Sequence, residues 1–328
     1  MSATRVLKTS AATLAHTFEV GETPTDSTTT VAVAVTDANG TAVTSGNATS
    51  AGVNTGTYTF PLPGQANLSL LSVAWSATIA GSAVVQTDVV EVVGAFFFTL
   101  TQGRDSDSSL SDPAKYPTDD LVLKRTEVEE ECEAICDRAF VARYARVVLD
   151  GTGESDLVLK HQLPDRTIAH VRSIRSVKMA PRADGTFVAF DAGELAALQV
   201  ADDGTLRRVD GAVFTRGFGN VIVELEYGLD GPPAELVQAC LTRFRSRLNL
   251  NKTSIPDRAS SFTVADGGTF RLDMPGAWKT GLPAVDAVYA RYSRRSGAGP
   301  GAGGRAVPAS RQLNYDPQYT SLFHGGRR

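Results

Sequence analysis

The chain has 328 residues, enough for about two domains, and its 42% hydrophobic and 21% charged composition is that of an ordinary globular protein. A formal net charge of -4 argues against a protein whose main task is to grip nucleic-acid backbones. No run of about 18 apolar residues is present to span a membrane; the stretch VVGAFFFTL is too short, and MSATRVLKTSAATLAH lacks the long apolar core of a secretory signal.

Residues 1–94 are rich in Thr, Ala, Val, Ser and Gly and nearly free of Lys and Arg. Valines alternate at 31, 33 and 35, Asn39-Gly40 offers a tight hairpin turn, and Val73, Trp75, Ala77 and Ile79 fall on one face of another strand. Short period-2 strands separated by turn signals predict a β-sandwich with Trp75 in its core. No cysteine pair accompanies the tryptophan, so the likeness to an immunoglobulin domain is architectural. Asn47 and Asn67 match the glycosylation pattern by chance in a protein made in the cytoplasm.

Residues 95–118 read as a connector, because RDSDSSLSDPAKYPTDD is polar and holds two prolines. A helix follows, capped by Thr118, Asp119 or Asp120, or starting at the capping-box-like Thr126, with LVLKRTEVEEECEAICDRAFVARY as its body. Apolar residues at 128, 132, 135, 136 and 139 have helical spacing. Glu127, Glu129, Glu130, Glu131 and Glu133 make the opposite face acidic, and it reads as a solvated or interface face rather than a catalytic pair. Cys132 and Cys136 lie on one side of this helix. With Cys240 they read as small buried thiols, because the histidines (16, 161, 170, 324) are scattered and stand beside no cysteine. No metal and no cofactor are expected.

Between about 150 and 228 the pattern returns to strands, and Val221, Val223, Leu225 and Tyr227 alternate on one face of the last of them. This predicts a small, mostly antiparallel sheet between two helices. The second helix opens at Pro233, where a missing N–H is no loss. Leu236, Cys240, Phe244 and Leu248 recur every four residues, a stripe wide enough to pack on the sheet. Arg243, Arg245 and Arg247 flank it and read as solvated or protein-facing. Residues 254–276 suggest an extended loop with a short hairpin. A short helix from Pro283 carries Val285, Val288, Tyr289 and Tyr292 on one face. Residues 296–310 form a Gly-rich linker. Beyond it Leu313, Tyr315, Tyr319, Leu322 and Phe323 suggest a tethered peptide that docks into a partner.

No G-x-S-x-G, P-loop, H-E-x-x-H or Cys-x2-Cys pattern occurs, so no catalytic residues are assigned and an enzyme is not expected. GAGPGAGG lacks the preceding strand and following helix of a dinucleotide-binding loop.

Four stretches, in order, carry a resemblance: TEVEEECEAICDRAFVARYARVVLDGTG, VIVELEYGLDGPPAELVQACLTRFRSRL, IPDRASSFTVADGGTFRL and TGLPAVDAVYARY. Together, over roughly residues 95–295, they resemble the head-to-tail adaptor (connector) proteins of long-tailed double-stranded-DNA bacteriophages. The resemblance implies a structural virion protein, made in the host cytoplasm and resident in the neck of the particle. Twelve copies would form a ring beneath the portal, extend the DNA channel, and offer a platform to the stopper or next neck protein.

On that reading Glu127, Glu130, Glu131, Arg243 and Arg247 face the channel or a neighbouring subunit. The acidic helix would repel DNA and let it pass without specific binding. The helix from Pro233 packs against the helix near Val128, and the C-terminal arm reaches the portal. The sandwich becomes an outward decoration that touches the capsid, a neighbour or the host surface. The overall expectation is a multidomain α+β chain. It comprises an immunoglobulin-like sandwich (1–94), a connector (95–118), a helical adaptor domain with an inserted antiparallel β region (119–295), and a linker with docking arm (296–328). The rival readings are a carbohydrate- or host-surface-binding virion protein that uses the sandwich, a stopper or other neck protein, and an enzyme acting through acidic clusters.

Overall fold

The computed structural model describes residues 4–159, 168, 170–180, 185–201, 204–250, 261–263, 269–271 and 278–294, and within these the chain is a mixed α+β protein with strands in several sheets. The alternating N-terminal segment gives β1 (Thr4–Leu7), β2 (Ala12–Thr17), β3 (Glu19–Val20), β4 (Thr23–Pro24), β5 (Ala32–Thr36), β6 (Ala42–Asn47), β7 (Thr49–Ser50), β8 (Thr57–Leu62), β9 (Ser69–Ile79) and β10 (Ser82–Val93). Five of them form a sheet in the order β1-β10-β9-β5-β6, and a second sheet runs β2-β8-β7. β1 joins β10 in parallel, whereas the pairs inside both sheets are otherwise antiparallel. Val33, Val73, Trp75 and Val92 of one sheet meet Leu14, Tyr58, Phe60 and Leu62 of the other in one core, with Trp75 fully buried. A sandwich is compatible with this arrangement. Gly40 takes the positive φ of the expected turn (+79°), and Asp37 Oδ1 accepts from the Asn39 and Thr41 amides at 2.8 Å.

The connector reading needs correction. After Gly94 the chain turns inward: Phe97, Phe98, Leu110 and Tyr116 are buried in the helical core. Between them lie α1 (Leu100–Asp105), closed by a Thr99/Gln102 capping box, and a 3-10 turn at Ser108–Ser111. The polar residues of this stretch line its outer side, and four apolar anchors decide its place.

α2 (Thr118–Cys136) starts after Pro117 with no side-chain cap, and Asp119 and Asp120 occupy its first turn. Thr126 is not a second start. It lies mid-helix, and its hydroxyl donates back to Val122 O at 3.1 Å. The helix also stops earlier than expected. Asp137 adopts a left-handed φ of 55°, and residues from Arg143 onward form a strand instead of continuing the helix.

That strand, β11 (Arg143–Gly151), opens a second β unit with β12 (Asp156–Val158), β13 (Val171–Met179), β14 (Val188–Ala189), the short helix α3 (Ala192–Ala196), β15 (Leu198–Val200), β16 (Thr205–Arg208) and β17 (Gly217–Tyr227). The sheets run β11-β17-β13-β14 and β12-β16-β15, all antiparallel. Val221, Val223, Leu225 and Tyr227 point inward as expected and share a core with Val147, Phe190, Leu206 and Phe214.

α4 (Ala234–Leu250) carries the predicted stripe, but the stripe does not pack on the sheet. Leu236, Cys240, Phe244 and Leu248 pack among helices. They form one core with Val128, Cys132 and Cys136 of α2, with Phe97 and Phe98, and with Val285 and Tyr289 of α5 (Pro283–Tyr292). Helix-on-helix burial wins because α2 and α5 together cover the stripe. The expected hairpin in the 254–276 loop appears as β18 (Ser261–Thr263) paired with β19 (Thr269–Arg271).

Candidate functional site

The densest polar constellation lies where the sandwich meets α2. The parallel pairing of β1 with β10 sets Arg5 opposite Glu91. α2 contributes Glu129 and Glu133, one turn apart on the same side, and β11 contributes Arg143. Arg5 reaches Glu129 at 2.9 Å, Glu91 at 3.4 Å and Glu133 at 3.7 Å. Arg143 reaches both carboxylate oxygens of Glu91 through Nη1 alone, at 2.7 and 2.6 Å, and turns Nε and Nη2 to Glu133. Backbone amides complete the carboxylates: Phe97 N donates to Glu129 at 2.9 Å and Phe140 N to Glu133 at 3.2 Å. Glu129 and Glu133 are 1% and 0% exposed, so of the solvated or interface face expected from the sequence the solvated alternative fails for these two, which lie between elements of the same chain. Burial pushes the Glu129 carboxyl above its ordinary value, against the opposing pull of Arg5. Arg125 stacks 3.6 Å over the Phe96 ring, and burial lowers its pKa.

A second set of contacts fixes the sandwich to the outer face of the β11–β14 sheet. Asn39, at the β5–β6 turn, donates to Glu224 at 2.7 Å and accepts from Lys178 at 3.2 Å. Arg175 joins Glu226 to the carbonyl of Leu68, and Gly94 N donates to Ala142 O at 2.9 Å. The N-terminal unit is therefore docked on two sides.

The other expected site residues separate into pairs. Glu127 bonds Lys124 at 2.8 Å on the same helix, and Glu130 stands 3.5 Å from Arg5. Glu131 bridges α2 to α4, bonding Arg243 twice at 2.8 Å and Arg247 at 3.0 Å. Burial pushes the Glu131 carboxyl up, but the hydrogen bonds and charges of the two arginines outweigh it and hold the group below its ordinary range. Arg243 is buried by this pairing. Arg245 donates to Ser106 O at 3.1 Å.

Cys132, Cys136 and Cys240 are free and fully buried around Tyr289, whose hydroxyl lies 3.4 Å from Cys240 Sγ. Burial, reinforced by the two neighbouring thiols, pushes the Cys132 thiol well up, which makes it a poor nucleophile. Among the described residues no group of three His, Cys, Asp or Glu side chains is placed to hold a metal. The docking-arm residues Leu313, Tyr315, Tyr319, Leu322 and Phe323 lie outside the described residues.

One feature was invisible in the sequence: His16 bonds Asp88 at 2.7 Å through Nδ1 and stacks on Trp75 at 5.3 Å. A histidine oriented by a carboxylate is half of a nucleophile-activating set. Here Nε2 meets Gln86 Oε1 at 2.5 Å, so the nitrogen that would serve a nucleophile is occupied. The ion pairs described above fix orientation by placing paired charges between elements.

No family model matches the chain, and a search of curated proteins finds no match. Among the described residues no helix is long and apolar enough to cross a membrane.

Proposed function

We propose that this chain is a head-to-tail adaptor, a structural protein of the bacteriophage neck. Twelve copies form a ring below the portal, extend the DNA channel and present a platform to the stopper or next neck protein. One observation carries the reading. α2, α4 and α5 come from three of the stretches behind the resemblance and lie far apart in sequence, yet they close on one core with the β region inserted between α2 and α4. Glu127 and Glu130, half-buried on α2 beside Lys124 and Arg5, are the carboxylates assigned to the channel on this reading. A polyanion passing such a surface is repelled rather than held. Residues 296–328 act as the arm that reaches the portal.

The surface-binding rival loses ground on one point. Phe18, Tyr58, Phe60 and Trp75, the aromatic residues of the sandwich, are all buried, so no aromatic platform faces outward for a sugar ring.

Light scattering on the chain mixed with the portal ring of the same genome tests the proposal. The expected result is a mass increase of one chain per portal subunit, weakened by deletion of residues 296–328 without loss of fold. Absence of association at micromolar concentrations removes the adaptor reading.

A further inference from the structure

Phe218 is 92% exposed, far more than any other aromatic residue among those described. Its setting is rigid. β17 bulges against β11 between Leu149 and Gly151, and the bulge is tied down by the buried side chain of Asn220. Asn220 accepts from Gly151 N at 2.8 Å and donates to Thr215 O at 2.8 Å and to Ala180 O at 3.3 Å, while Asp150 accepts from Gly219 N at 2.7 Å. Glycine is required on both sides of the ring. A Cβ on Gly217 would stand 2.6 Å from Asn220 Cγ, and Gly219 has φ +56°. A Cβ at Gly219 would lie 3.7 Å from Val148, which is itself half exposed. The bulge thus holds a phenyl ring in water on a fixed backbone, at a cost in solvation that folding does not require.

The same chain carries a matching recess. Between the open edge of the sandwich and the first turns of α2 lies a cleft of about 280 Å³ with a mixed wall: Ala15, Val122 and Leu123 are its accessible apolar part, and Thr4, Thr13, Asp88 and Asp119 its polar part. By volume alone the cleft has room for a phenyl ring, since about 150 Å³ accepts benzene. The charges near the two features are complementary: Arg216, two residues from Phe218, has no ion pair with a described residue, and Asp119 is exposed and likewise unpaired.

We propose that Phe218 of one copy seats in the sandwich–α2 cleft of a second copy, with Arg216 of the first facing Asp119 of the second. Knob and recess are different surfaces, so the contact is head-to-tail and generates a ring where the rotation closes and a filament where it does not. Closure into a ring rests on the adaptor reading above, whereas the contact itself rests on Phe218 and the cleft.

The test uses the full chain and two variants at exposed positions, Phe218→Asp and Ala15→Trp, the second filling the cleft. In sedimentation equilibrium the wild type associates with a Kd below about 1 mM, and each variant alone is monomeric. A mixture of the two variants forms one-to-one pairs and nothing larger, because each retains one intact half of the contact. A monomeric wild type overturns the proposal, as does association untouched by Phe218→Asp or a mixture that stays monomeric. Phe218-dependent association without portal binding keeps this contact and removes the adaptor reading. Normal portal binding together with Phe218-independent association does the reverse.

Discussion

Toward α4 and α5, helix α2 presents Val128, Cys132 and Cys136, and what meets them is apolar or a thiol. Toward the sandwich the same helix presents Glu129 and Glu133, and what meets them is Arg5 and Arg143. The apolar side stabilises in proportion to area removed from water and tolerates substitutions that keep volume. The charged side gains little net energy, because desolvation cancels much of the attraction, yet it is unforgiving of a missing partner. The first joint supplies stability; the second sets how the sandwich sits.

The sharpest way to break this contrast is Arg143→Ala, which leaves Glu133 and Glu91 without their main partner. It should cost about 3–5 kcal/mol in chemical denaturation. Replacing both members, Arg143→Met with Glu133→Leu, should return most of that loss, and an equal loss in the double variant would contradict the account. Phe244→Ala, in the apolar joint, should cost roughly 3 kcal/mol or more through the cavity it leaves, with no recovery from any charge change nearby.

The pH dependence comes next in size. The folded-state pKa of Glu129 is raised, so its contribution is fully present below the ordinary glutamate value of 4.5 and is lost as pH rises through the raised value. Glu129→Gln should flatten that part of the stability profile, measured by denaturation at a series of pH values. Glu131 has the opposite sign: its contribution is present above 4.5 and fades as pH falls through the depressed value. At the small end, the exposed pair Glu235–Arg291 should change stability by less than about 1 kcal/mol when Glu235 becomes Ala.

Legibility followed distance along the chain. α4 could be read from Pro233 and its four-residue stripe, and β17 from its alternation, since both signals are local. The end of α2 could not: Asp137 takes a left-handed conformation that glycine usually marks, and no glycine or proline stands there. The charged joint was hidden for a different reason. Arg5 lies 124 residues before Glu129, so periodicity shows two glutamates on a polar face and nothing of the arginine that buries them. The inward turn after Gly94 was masked by the polar, proline-containing residues that surround Leu110 and Tyr116, although the apolar run Phe96–Phe98 stood in plain view. Phe218 was lost inside an otherwise regular strand, where only the flanking glycines signal a bulge.

The central physical claim is that the charged joint makes the sandwich and the helices one cooperative unit. Equilibrium unfolding of a Trp278→Phe background, followed by Trp75 fluorescence for the sandwich and by far-ultraviolet circular dichroism for the helices, tests it directly. Coincident transitions are expected, and they should separate when Arg143→Ala is added. Two separate transitions in the protein with Arg143 intact would contradict it.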